Sequence, residues 1–138
     1  MPQQSTLVMA GPTSTGLKLS PTLEKYCEAI YRLATSQKRP VKLVHLAAQM
    51  QVAGSTVFAT LNRLQKNGLI EVSQHPHHVS LTPAGEEIAE NLIRRHSLLE
   101  NFLSNHLGLS REEVQTEAER LKHAISGQVE AALYRYLV

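Results

Sequence analysis

Hydrophobic residues along this chain recur mostly at spacings of three and four, the period of amphipathic helices. The first such stripe is Leu23, Cys27, Ile30 and Ala34, with Tyr26 and Leu33 beside it. Ser20 stands at its N-cap and Pro21 at the first helical position, where a missing N–H costs nothing. Two short helical patterns follow, VKLVHLAAQM and STVFATLNRLQKNGL, separated only by QVAG. Leu43, Leu46 and Ala47 form the buried face of one, Val57, Leu61 and Leu64 that of the other, and Gly68 is the stop signal. So short a break, with the small Ala47 allowing close approach, predicts a helix-turn-helix. The period then falls to two: LIEVSQHPHHVSLT predicts strands over Leu69–Ser73 and Val79–Thr82, around a tip holding His75, Pro76, His77 and His78. Helix-turn-helix plus hairpin is a winged helix.

Beyond the hairpin the helical period returns. Thr82 and Pro83 open a long helix with a stripe of Ile88, Leu92, Leu99, Leu103 and Leu107, ending near Gly108. Ser110 and Glu113 form a capping box for a segment with Val114, Ala118, Leu121 and Ile125 on one face, which Gly127 breaks before a last short helix. In so small a lobe these stripes lack a partner, so a second copy is expected to cover them in a homodimer. Residues 1–19, rich in Pro, Gly, Ser, Thr and Gln, show no period and predict a disordered tail. The fold class is therefore mainly α with a small β-hairpin. A winged helix-turn-helix DNA-binding domain over 20–82 precedes a helical dimerisation domain over 83–138.

Composition narrows the function. With 138 residues, 42% hydrophobic, no Trp and two Phe, the chain suits one modest core of aliphatic side chains, or two small lobes. Cys27 is the single cysteine, which excludes an internal disulfide and a cysteine-held structural zinc and fits a cytoplasmic setting. No segment has the length of a signal or membrane span. Net charge is only +2, yet residues 21–82 carry seven Lys or Arg against three Glu, and 83–138 carry six against nine Glu. A basic middle suits a polyanion and an acidic end suits a cation or a partner subunit, although ordinary solvated surface produces imbalances of this size. No HExxH, no phosphate-cradling glycine loop and no nucleophile in a recognisable setting occur, so no catalytic residue is assigned.

With Val57, Leu61 and Leu64 turned inward, Ser55, Ala59, Asn62, Arg63 and Lys66 face out, flanked by Thr56 and Phe58. The N-terminal half of such a helix reads base edges, which makes Ser55, Thr56 and Ala59 the base candidates. Phe58 has two readings, contact with a thymine methyl or packing against the first helix or the wing. Arg39, Lys42, Arg63 and Lys66 are phosphate candidates. The wing histidines, His77 among them, have three: a phosphate contact that strengthens as pH falls through roughly 6.5, adventitious metal binding, or a plain solvated loop.

Two further pairs share a spacing. His96 and Glu100 stand four apart in RRHSLLE, and Glu119 and His123 four apart in ERLKH, each pair on one helical face. Glu119 and His123 are expected to point away from the apolar stripe. Spacing alone leaves them as surface ion pairs or as metal ligands.

Order along the chain adds a resemblance. YCEAIYRL, a winged helix, then LTPAGEEIAENLIRRHSLLENFLSNHLGLSREEVQTEAERLKHAIS together resemble the diphtheria-toxin-repressor family of metal-dependent transcription regulators, over about residues 20–138. The likeness is nearest to its short manganese-responsive branch, since the chain stops without room for a C-terminal barrel domain. It implies a homodimeric repressor of double-stranded operator DNA, switched by Mn or Fe bound between the first helix and the dimerisation helices. Carried over position by position, Glu28, His96, Glu119 and His123 match ligands of the manganese branch, and Glu100 an ancillary-site ligand of the iron branch. Lys25 stands where that family has Asp or Met, Lys122 where it has Glu, and Gln115 where it has an ancillary-site histidine.

Those lysines change the electrostatics. One pair of like charges 4 Å apart costs roughly 4 kcal/mol at an effective dielectric of 20, which argues against two metals. His96, His123, Glu119, Glu28 and Glu100 would suit one Mn, Fe, Co or Zn ion. The alternative is a metal-independent regulator, in which Lys25 or Lys122 pairs with Glu28 or Glu119 and replaces the ion's charge.

Overall fold

The computed structural model describes residues 19–38, 40–73 and 78–138. The expected tail, Arg39 and the hairpin tip with His75, Pro76 and His77 lie outside the described residues. The chain divides into two compact units, residues 1–89 and 90–138.

In the first unit, α1 (Pro21–Gln37) starts as its sequence dictates, with the Ser20 hydroxyl accepting the Leu23 N–H at 3.3 Å. Leu23, Tyr26, Cys27 and Ile30 are buried on its inner face. Next come β1 (Val41–Lys42), α2 (Leu43–Met50), α3 (Gly54–Lys66), β2 (Ile70–Ser73) and β3 (His78–Leu81). The strands form an antiparallel sheet in the order β1-β3-β2, with Val79 of β3 opposite both Val41 and Val72. Val41 and Lys42, expected to begin a helix, are thus a third strand. Their backbone pairing with Val79 and His78 is non-local, and no periodicity in VKLVHLAAQM carries it. Val57, Leu61 and Leu64 are buried on α3 as their spacing requires, each contributing about 1.5–3 kcal/mol relative to exposure.

A compact junction joins hairpin to helix. Gly68 takes a left-handed φ of 71°, which only glycine adopts without strain, and turns the chain from α3 into β2. Thr82 then donates its N–H to the Leu69 carbonyl (3.0 Å) and its hydroxyl to the Gly68 carbonyl (2.7 Å). The same hydroxyl accepts the Gly85 N–H, capping α4 (Pro83–Asn101).

The second unit holds α4 from Glu90 onward, a π-helical turn (Phe102–His106), α5 (Arg111–Lys122) and α6 (Gly127–Leu137). Leu98, Leu99, Leu103, Val114, Ala118 and Leu133 form its core. Leu107, expected to continue the stripe, is 54% exposed. The wide turn, in which Leu107 N–H bonds back five residues to Phe102, rotates it outward, and Leu109 packs on the core instead. The Ser110–Glu113 capping box is formed in both directions, and it holds the Glu113 carboxyl below the usual glutamate range. Contrary to expectation, α5 ends at Lys122 rather than at Gly127. Gly127 is the first residue of α6, capped by the Ser126 hydroxyl. Leu99 and Leu103 of the first stripe thus share one core with Val114 and Ala118 of the second, which corrects the reason given for a homodimer. What stays exposed is Leu107 together with Val129, Tyr134 and Tyr136 on α6 and Val138 after it.

Candidate nucleic-acid interface and metal centre

Ser55, Thr56, Phe58, Ala59, Asn62, Arg63 and Lys66 are all exposed on α3. Phe58, 60% exposed, is not packed away against α1 or the hairpin, which removes that reading of it. Thr60 is buried and spends its hydroxyl on the Thr56 carbonyl at 3.0 Å. Lys42 is exposed beside the first turn of α2, and His78 sits in β3 opposite Ser73 and Lys42. The N-caps of α2 and α3, Lys42 and Ala53, make no side-chain capping bond, whereas Ser20, Ser110 and Ser126 cap α1, α5 and α6. First-turn N–H groups without a capping side chain are free to donate to phosphate oxygens.

The candidate ligands stand in separate groups. Glu28 belongs to the first unit, where it is buried and its carboxylate takes Arg32 at 2.9 Å. Lys25 is exposed one turn earlier. The other four belong to the second unit. His96 Nε2 lies 3.3 Å from Glu100 Oε2, and His96 Nδ1 is buried with no hydrogen-bond partner among the described residues. A carboxylate on one ring nitrogen and an orphan on the other is the arrangement a metal-ligating imidazole takes. The Gln115 amide, standing where the resembled family has a histidine, donates to the same Glu100 oxygen at 2.8 Å. The two line an open depression of about 380 Å³ with Ser97, Asn101 and Arg111.

His123 is the C-cap of α5 and its side chain faces inward, 7% exposed, with Nε2 3.7 Å from Glu119 Oε2. The ring is therefore turned inward, against the outward placement expected for the pair, while the Glu119 side chain is 45% exposed as expected. Lys122, only 3% exposed, sets its Nζ 2.9 Å from Glu119 Oε1. The lysine pairing weighed from the sequence is therefore present at Glu119. Among the described residues, no three His, Cys, Asp or Glu side chains gather closely enough to hold an ion. As arranged, the set offers ligand chemistry, the orphaned His96 Nδ1 included, but among the described residues it does not close around a metal.

Arg94 and Arg95 also shape this unit, and sequence reasoning passed over them. Both bind Glu130 of α6, at 3.0 and 2.7 Å, and Arg95 Nη1 reaches the Lys122 and Ile125 carbonyls at 3.4 and 3.1 Å. Arg95 thereby serves the carbonyls left open where α5 ends. The signal was their place immediately before His96, which sets at least one of two adjacent arginines toward the neighbouring helices.

The iron-dependent repressor N-terminal DNA-binding domain model matches residues 18–78, and the iron-dependent repressor metal-binding and dimerisation domain model matches residues 82–138. The chain belongs to the diphtheria-toxin-repressor family. Within that family it is 34% identical over 116 residues to the iron-dependent repressor IdeR of Mycobacterium leprae, covering 84% of this chain and 50% of the relative. The structure of ScaR with bound Zn2+ superposes at a TM-score of 0.73 and 30% identity, covering 83% and 53% of the two chains. A manganese-dependent transcriptional repressor in complex with manganese does so at 0.68 and 34%, covering 83% and 52%. The chain spans about half the length of the curated relatives it matches.

Proposed function

We propose that this chain is a DNA-binding transcriptional regulator, a repressor acting in the cytoplasm as a homodimer on double-stranded operator DNA, and controlled by a divalent transition metal. The observation that carries the DNA reading is the exposed row on α3, polar at its first turn and cationic at its last, on a scaffold that buries the opposite face. Laid in a major groove, Ser55, Thr56, Phe58 and Ala59 meet base edges, and Arg63, Lys66 and Lys42 meet phosphates. Phe58, with no polar atom to offer, favours a thymine methyl. The opposite face of α3 is held by Val57, Leu61 and Leu64, with the buried Thr60 hydroxyl bonded to the Thr56 carbonyl.

Metal control and pairing of two copies rest on the family match of residues 82–138, and they favour the metal-dependent reading over the metal-independent one. Within the second unit, His96 and His123 are the nitrogen donors, with Glu119 and Glu100 as carboxylates. When bound, the metal would supply positive charge and a fixed coordination geometry. The protein supplies the orientation of His96 through Glu100. In chemical class the relatives' ions, manganese and zinc, both suit this mixed donor set.

Fluorescence anisotropy on the DNA upstream of the chain's own gene, in EDTA and then with Mn, Fe or Zn, tests the whole reading. A rise in affinity of tenfold or more on adding metal, about 1.4 kcal/mol of coupling, is expected. Sedimentation should show a dimer at micromolar concentration. Absence of sequence-selective binding under every condition would overturn the proposal.

A further inference from the structure

A lysine already stands beside one of the candidate ligands. Lys122 belongs to the last turn of α5, and its main chain is held there because Arg95, locked by Glu130, takes the Lys122 carbonyl. With 3% of its side chain exposed, the ammonium has little water to retreat into, and it lies 2.9 Å from Glu119 Oε1. The Lys122 side chain is 3% exposed and that of Glu119 45%, so the cost of parting the pair falls on the ammonium. Glu119 is thus a shared carboxylate, one oxygen on Lys122 and the other facing His123.

We propose that Lys122 is a resident competitor for Glu119, which weakens binding of any divalent ion at this site and weakens Mn2+ more than nitrogen-preferring ions such as Co2+ or Zn2+. An ion drawing on His96, His123 and Glu119 would meet a carboxylate already paired with the Lys122 ammonium. Imidazole suits Zn, Fe, Ni and Cu, whereas carboxylate oxygen suits Mn. Removing the effective charge from one carboxylate therefore costs the oxygen-preferring ion more. The departure of Lys122 from the family pattern then acts on selectivity as well as on affinity. The inference rests on the metal-controlled reading above.

The test is a chelator-competition titration of the full chain with Mn2+ alone and Co2+ alone, in wild type, Lys122→Gln, Lys122→Arg and Lys122→Glu. Thermal unfolding in EDTA serves as the fold control, and Co2+ absorption reports the ligand set directly. Lys122→Gln should bind both ions at least tenfold more tightly, and Lys122→Glu should lower the ratio of Co2+ to Mn2+ affinity at least tenfold. Lys122→Arg, which keeps the charge, should stay within a few-fold of wild type. If Lys122→Gln does not fold, Lys122→Met, which keeps the apolar stem, takes its place. Neutral variants that bind both ions as wild type does, or an unchanged ratio in Lys122→Glu, would overturn the role of Lys122 and leave metal control standing. Failure of every variant to bind either ion would overturn metal control and this inference with it.

Discussion

Gly85 offers a sharp test of the junction from which α4 departs. In a helix, replacing glycine by alanine ordinarily stabilises by about 1 kcal/mol. At position 85 a Cβ would stand 2.2 Å from the Leu69 carbonyl oxygen and 2.9 Å from Leu81 Cδ2. The Leu81 methyl can turn aside. The Leu69 carbonyl cannot, because it accepts the Thr82 N–H while the preceding Gly68 carbonyl takes the Thr82 hydroxyl. Reaching 3.0 Å, the closest that Cβ contacts normally come, requires helix and hairpin to part by about 0.8 Å. Overpacking of this kind costs about 1–3 kcal/mol, and a strained Thr82 bond adds about 1 kcal/mol. Set against the propensity gain, Gly85→Ala should destabilise by about 1–3 kcal/mol, a fall in Tm of roughly 3–10 °C. Thermal and urea unfolding would measure it, with Gly54→Ala and Gly127→Ala as references, since nothing lies within 4 Å of a Cβ at either. A Gly85→Ala protein as stable as the references would refute the reasoning.

Three shorter predictions follow from the same structure. Arg63→Ala and Lys66→Ala should each reduce the slope of log affinity against log salt by about 1 on operator and non-operator DNA alike, read by anisotropy at several ionic strengths. Burial, then the neighbouring Glu24 carboxylate, pushes the Cys27 thiol up to about 12 from an unperturbed 9.0. The folded state thus favours the neutral thiol, and the stability this contributes is intact below pH 9 and lost as pH rises from 9 toward 12. Native protein should consequently resist thiol-labelling reagents at pH 8 and react only on unfolding; rapid native labelling would contradict the burial. Ser110→Ala should cost about 1 kcal/mol by removing the α5 N-cap, and circular dichroism on melting should show it.

Much of the fold was legible because its signals are local. Ser20 with Pro21 and Ser110 with Glu113 act within one helical turn, so the residues that start α1 and α5 name themselves. The buried face of α3 could be counted from Val57, Leu61 and Leu64 without knowing what they touch. What failed depended on distant or irregular partners. Val41 and Lys42 become a strand only because β3 arrives beside them. Leu107 leaves the stripe because one wide turn shifts the register, an event that spacing rules built on 3.6 residues cannot register. At the candidate metal centre the paired spacings were visible, but no spacing rule encodes the burial of the His123 and Lys122 side chains. The end of α5 also takes a bond from α4, through Arg95 on the Lys122 carbonyl.

The two-residue strand β1 has a mechanical consequence. It runs without a break into α2, so the hairpin is spliced to the helix-turn-helix by covalent chain on one side and by the β3 ladder on the other. A torque applied to the wing by a sugar-phosphate strand would arrive at α2 with no joint between to absorb it. Under the proposed reading of DNA, this splice would leave α2 and the paired strands little conformational entropy to lose on docking. A drift toward looser, more promiscuous recognition would have to loosen Val41 first, a fully buried side chain with no surface to offer any ligand.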